Sequence, residues 1–106
     1  MLNNYEHIYA YSTLEIISKL GESFRAYRIA LGMTLNDVAE QSGLSLMTIQ
    51  RFENGTNKDI TLSTLISLLR TIHRLEDLKA ILPPIPESPY FQSSTKPIKR
   101  VRHKNG

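Results

Sequence analysis

The stretch Thr34-Leu-Asn-Asp-Val-Ala-Glu-Gln-Ser-Gly-Leu-Ser-Leu-Met-Thr-Ile-Gln-Arg-Phe-Glu53 decides how this chain folds. Thr34 and Ser45 each stand one residue before an apolar-periodic run, where a short hydroxyl side chain accepts the otherwise unpaired N–H groups of a helix start. The spacing predicts one helix from Leu35 to about Gln41, its first turn favoured by the charge of Asp37, and a second from Leu46 to about Glu53. Ser42-Gly43 ends the first and Asn54-Gly55 the second, because glycine adopts the left-handed conformation that closes a helix. Val38, Ala39, Ile49 and Phe52 are the apolar positions through which the two helices meet each other and their supports. Ala39 is small where a close crossing needs a small residue.

Outward from this pair the pattern stays helical. Ser12-Thr-Leu-Glu15 has the form of a capping box and predicts a short helix that ends or bends near Leu20-Gly21. A further helix is expected over Leu20–Leu31, with Leu20, Phe24, Tyr27, Ala30 and Leu31 on one stripe and Gly32 as its stop. Thr61 caps a helix from Leu62 to about His73, with Leu62, Leu65, Ile66, Leu69 and Ile72 inward. A last helix, about Leu75–Ile81, stops at Pro83-Pro84. No run has clear strand character, so the fold class is all-α.

Two short helices joined by a three- or four-residue turn containing glycine can set the second helix in the major groove of DNA. Any short helical hairpin shares that much. The net charge of +3 does not separate the two readings. Lys96, Lys99, Arg100, Arg102 and Lys104 form a basic tail without acids. The first 91 residues therefore carry eight of the thirteen Lys/Arg against all ten Asp/Glu.

The residues themselves are more specific. "FRAYRIALGMTLNDVAEQSGLSLMTIQRFENG" (Phe24–Gly55) combines Arg28-x3-Gly-Met-Thr, Ala39-x3-Gly43, Ser45, Ile49 and Glu53-Asn-Gly, and Leu20–Leu69 resembles the helix-turn-helix of the Xre/Cro family of repressors. The resemblance implies a five-helix, lambda-repressor-like DNA-binding domain with a short extra N-terminal helix and a flexible C-terminal tail. Domain limits of 1–19 for the arm and short helix, 20–82 for the DNA-binding domain and 83–106 for a Pro-rich linker and basic tail follow. It also implies that Arg28 and Glu53 form an ion pair, and that Ser45, Leu46, Met47, Gln50 and Arg51 face the bases.

In that family the positions of Leu46 and Met47 are often Gln or Arg, and that of Leu35 often a DNA-contacting Gln. Here apolar groups replace hydrogen-bonding ones, which suits thymine methyls, while Arg51 retains the fork that bonds guanine. The loss of polar groups at Leu35, Leu46 and Met47 also fits a protein-interaction module that keeps the fold without binding DNA. Phosphate contacts are expected from the helix starts at Thr34 and Asn36 and from Arg25, Thr56, Asn57 and Lys58. With few cations on the body, a homodimer on a palindromic operator is expected, with half-sites about 34 Å or a multiple apart.

All five prolines lie between Pro83 and Pro97. The segment "ILPPIPESPY" (Ile81–Tyr90) resembles the extension of HipB-like antitoxins, which implies a HipA-type kinase toxin as a partner and an autoregulated toxin–antitoxin operon. The tail follows phosphates or a minor groove, or serves solubility. Tyr5, Tyr9 and Tyr11 either pack an arm on the body or a partner or belong to a disordered end.

The absence of cysteine removes disulfides and thiolate chemistry and suits a reducing, cytoplasmic setting. No segment reads as a membrane span or signal peptide, so no membrane partner is expected. His7, His73 and His103 stand apart from other ligand types, so neither a metal nor a cofactor is expected. No phosphate loop, nucleophile elbow or HExxH motif is present, and catalysis is not expected.

Overall fold

The structure is a computed structural model and describes residues 7–86. Four α-helices carry the fold: α1 (Thr13–Ala30), α2 (Leu35–Ser42), α3 (Leu46–Glu53) and α4 (Leu62–Thr71), followed by a 3₁₀ helix (Leu75–Ala80). No strand occurs among the described residues. The expected basic tail, Lys96 to Lys104, lies outside them, as do Tyr5 and His103.

Each helix contributes to one core. Phe24 of α1, Val38 of α2, Ile49 and Phe52 of α3, Leu68 of α4 and Ile72 just beyond it are buried together. The Phe24 and Phe52 rings, 5.8 Å apart and tilted by 49°, join α1 to α3, in the offset range that aromatic pairs favour. Leu20, Met33, Leu35, Ala39, Leu44, Leu65 and Leu69 pack half-buried around this centre. α3 rests on α1 and α2, α2 also rests on α4, and the 3₁₀ helix closes against α4.

The two helices expected to meet near Leu20-Gly21 are one. α1 runs 18 residues without interruption from the Ser12–Glu15 capping box. Glycine inside a helix costs about 0.5–1 kcal/mol relative to alanine, but here it serves packing. A Cβ on Gly21 would overlap the carbonyl oxygen of Phe52, so only glycine lets α1 cross the end of α3 this closely.

The inward stripe of α1 is also rotated from the expected one. Arg28 occupies the buried position one turn after Phe24, whereas Tyr27, Ala30 and Leu31 are exposed. Tyr27 instead meets Arg74, whose guanidinium lies 5.4 Å from the ring centroid. On α4 the buried residues are Leu68 and Thr71, and Leu62, expected inward, is 65% exposed. α4 stops at Thr71, whose hydroxyl donates to the Leu68 carbonyl at 2.7 Å. The last expected helix is a 3₁₀ helix.

Candidate nucleic-acid interface

α2, a turn and α3 build the surface that the sequence singles out. Thr34 and Asp37 cap each other: the Thr34 hydroxyl oxygen accepts the Asp37 N–H at 3.0 Å, and the Thr34 N–H donates to the Asp37 carboxylate at 2.8 Å. Gly43 ends α2 at φ +77°, a conformation that other residues adopt only with strain. The Ser42 hydroxyl accepts the Leu44 N–H at 3.1 Å, which shapes the turn. Ser45 then caps α3 by accepting the Thr48 N–H at 3.1 Å.

The two faces of α3 are sharply divided. Ile49, Phe52 and Glu53 are buried, while Ser45, Leu46, Met47, Gln50 and Arg51 are all exposed. The structure thus brings the five expected base-facing residues onto one open surface. Ser45 is the most constrained of them, because its hydroxyl also shares a 2.9 Å hydrogen bond with the Thr48 hydroxyl. Of the three hydrogen bonds a hydroxyl can make, one remains.

The buried end of α3 is fixed from behind. The Arg28 guanidinium donates from Nε to Glu53 Oε2 at 2.7 Å and from Nη2 to Glu53 Oε1 at 3.0 Å. Its third arm, Nη1, donates to the Met33 carbonyl at 2.9 Å. The carboxylate holds the guanidinium pKa above its ordinary value, against the opposing effect of burial. With every arm of the fork engaged, this contact sets the angle at which α3 leaves the core. Arg25, expected among phosphate-binding residues, is exposed and its Nε lies 3.9 Å from Glu53 Oε1, at the open edge of the same pair.

The other expected phosphate contacts fall into two places. Thr34 and Asn36 are exposed at the start of α2, where the Thr34 cap uses its oxygen and leaves its proton to donate. The Asp37 carboxylate occupies the same helix start and opposes an incoming anion. Thr56, Asn57 and Lys58 follow α3, with Lys58 exposed. The backbone N–H groups of Thr56 and Asn57 donate to the Arg51 carbonyl at 2.9 and 3.0 Å. The Thr56 hydroxyl donates to Asn54 Oδ1 at 2.9 Å.

Asn54 organises this loop, a role not anticipated from the sequence although Asn-Gly announces a turn. Gly21 and the Met33 carbonyl are likewise positioning groups that only the structure reveals. Among the described residues no group of three or more His, Asp or Glu side chains gathers as metal ligands, and no helix is long and apolar enough to cross a membrane.

Comparison with known proteins agrees with this geometry. A helix-turn-helix family model matches residues 24–77, which runs from α1 through the 3₁₀ helix. Over 63 residues, 59% of the chain, it is 36% identical to an uncharacterised HTH-type transcriptional regulator of Methanocaldococcus jannaschii, and the match covers 36% of that protein's length. The chain therefore spans about a third of this curated relative. No solved structure gives a significant match. With a capped helix pair, an open face on its second helix and a family match over half its length, the chain belongs to the Xre-type helix-turn-helix family of DNA-binding domains.

Proposed function

We propose that this chain is a transcriptional repressor that binds a palindromic operator as a homodimer and acts by occluding a promoter. The observation that carries the reading is the open face of α3. Five side chains, among them Gln50 and Arg51, are exposed on a helix whose other face is locked into the core by Ile49, Phe52 and the Arg28–Glu53 pair. α3 enters the major groove, Arg51 bonds a guanine edge, and Leu46 and Met47 pack on thymine methyls. Arg25, Thr34, Asn36, Thr56, Asn57 and Lys58 hold phosphates on either side. The relative's description as a transcriptional regulator supports the same role.

Selection of bound sequences from a random DNA pool tests this. The expected product is an inverted repeat with half-site centres about 34 Å or a multiple apart. A pool that stays random would instead favour the interaction module without DNA binding. The narrower antitoxin reading rests on Ile81–Tyr90, of which Ile81, Leu82 and Ile85 are exposed. A kinase-like neighbouring gene whose product co-purifies with this chain is its expected signature, and an isolated gene speaks against it.

A further inference from the structure

The described residues hold eight of the chain's thirteen Lys and Arg and eight of its ten Asp and Glu, so the folded body carries no net charge. Several of those cations are already committed. Arg28 is buried against Glu53, Arg74 is held by Asp77 at 2.8 Å, and Lys19 lies 5.0 Å from the centroid of the Tyr11 ring. Around the proposed DNA surface the two signs are also mixed. Arg25 shares a groove with Glu22 and Glu53, Lys58 is followed by Asp59, and Asp37 occupies the start of α2. Such a surface fixes register on a duplex through a few phosphate contacts. It has no excess of positive charge with which to hold a polyanion.

The excess lies farther along the chain. Lys96, Lys99, Arg100, Arg102 and Lys104 place five cations within nine residues, with no acid among them. Covalent geometry sets their range. Ten residues lead from Pro86, the last one described, to Lys96, and ten residues extend at most about 33–36 Å. A helix with its side chains is about 10–12 Å across, so this length exceeds two packed helices. The place where the chain leaves the body therefore does not bar these cations from a duplex seated on α3. Laid along DNA, the five cations cover at most about 30 Å, over which a duplex carries on the order of eighteen phosphates. Each cation has a phosphate of its own.

We propose that residues 96–104 are a second, sequence-independent DNA-binding element, which neutralises phosphates of the duplex that α3 reads and supplies most of the chain's salt-dependent affinity. The proposal rests on the DNA-binding reading above and divides the work within it. Base contacts from α3 choose the site, and the basic segment holds whichever duplex is present.

The test uses the full chain with all five cations replaced by Gln: Lys96→Gln, Lys99→Gln, Arg100→Gln, Arg102→Gln and Lys104→Gln. Fluorescence anisotropy across a salt series reads its binding to the selected operator and to a duplex of unrelated sequence. The slope of log K against log salt is expected to fall by roughly 4 per chain on both duplexes. At about 0.1 M salt both affinities are expected to fall at least tenfold, with the ratio between them unchanged. A second variant carries the wild-type residues 96–104 in shuffled order and is expected to keep the wild-type slope, since only charge is used.

An unchanged slope in the five-fold Gln variant would overturn the proposal and leave the segment a solubilising role. A shuffled variant that binds like the Gln variant would also overturn it, because a specific sequence would then be required. So would loss of binding to phosphatidylserine vesicles in the Gln variant while the DNA slope stays the same, which would assign the segment to a membrane surface. The operator reading fails separately. Wild-type chain that selects no sequence, yet binds any duplex with a steeper slope than the Gln variant, sustains the basic element and removes the repressor.

Discussion

Arg28 and Glu53, 25 residues apart in sequence, meet as a buried two-point ion pair, Nε to Oε2 at 2.7 Å and Nη2 to Oε1 at 3.0 Å. The pair joins the last turn of α1 to the last turn of α3, so it bears on both stability and the aim of the recognition helix. Removing one partner strands the other in a site of low water access. Glu53→Ala or Arg28→Ala is expected to cost about 3–5 kcal/mol in chemical denaturation. Arg28→Lys loses the fork and is expected to recover little of this. Replacing both by apolar residues of similar volume is expected to restore much of the stability while DNA affinity stays low, because the angle of α3 is no longer specified. Recovery of both properties together would show that the pair contributes stability alone.

Gly21 is expected to resist substitution for a reason unrelated to helix propensity. Alanine there favours the helix by about 0.5–1 kcal/mol, yet its Cβ would collide with the Phe52 carbonyl, and that backbone atom cannot rotate away. Overpacking of this kind costs about 1–3 kcal/mol or more, so Gly21→Ala is expected to lower the Tm by several degrees. Gly32→Ala makes the comparison, since nothing lies within 4 Å of a Cβ there and only its φ of +73° opposes alanine. A Gly21→Ala protein as stable as wild type would remove Gly21 from the positioning of α3.

Much of this was legible in sequence because the relevant signals are local. Thr34, Gly43 and Ser45 define α2 and α3 through caps that depend on neighbours three residues away, and the observed elements begin where those residues place them. The Arg28–Glu53 contact was legible only through family resemblance, since nothing local links residues so far apart. Gly21 reads as a helix end in the sequence because a glycine that ends a helix and one that admits another backbone look alike until the second backbone is present. Leu62 and Leu68 show the same limit: both fit an apolar pattern, and the position of α2 against α4 decides which is buried. Asn54 is legible as part of the Asn-Gly helix stop, but its further work, holding Thr56, is not, because that depends on the loop conformation.

Asp37 places two demands on one helix start. Its carboxylate bonds the Thr34 N–H and stabilises α2, but it stands where a DNA phosphate is proposed to approach. Asp37→Asn keeps an oxygen for the cap and removes the charge. The expected result is a loss of about 0.3–1 kcal/mol of stability together with severalfold tighter DNA binding at low salt, read by fluorescence anisotropy. Weaker DNA binding in a folded Asp37→Asn protein would place the phosphate elsewhere.

Arg51 and Lys58 are both exposed, but the proposed interface gives them different work. The Arg51 carbonyl holds the loop after α3 through Thr56 and Asn57, a backbone role that survives truncation of the side chain. Arg51→Ala is therefore expected to leave the fold intact and to cost about 1–3 kcal/mol at a single guanine position. Lys58→Ala is expected to weaken all sequences alike and to reduce the slope of log K against log salt by about 1. Undiminished selectivity in Arg51→Ala would refute its assignment as a base reader.

Leu46 and Met47 carry the least usual part of the proposed contact, since neither offers a hydrogen bond to a base edge. Both are exposed at the start of α3, 38% and 56% respectively, so their burial must come from whatever covers that face. If DNA covers it, the apolar group available in the major groove is the thymine methyl. Replacing thymine by deoxyuracil removes that methyl and leaves base pairing and groove hydrogen bonds unchanged. Binding is expected to fall about 3- to 5-fold for each contacted thymine, following the roughly 0.8 kcal/mol carried by one buried methyl-sized group. The loss should vanish in Leu46→Ala or Met47→Ala, whichever makes the contact, because no side chain then reaches the methyl. An operator that binds equally well with uracil throughout would mean that another surface, such as a protein partner, covers these two residues.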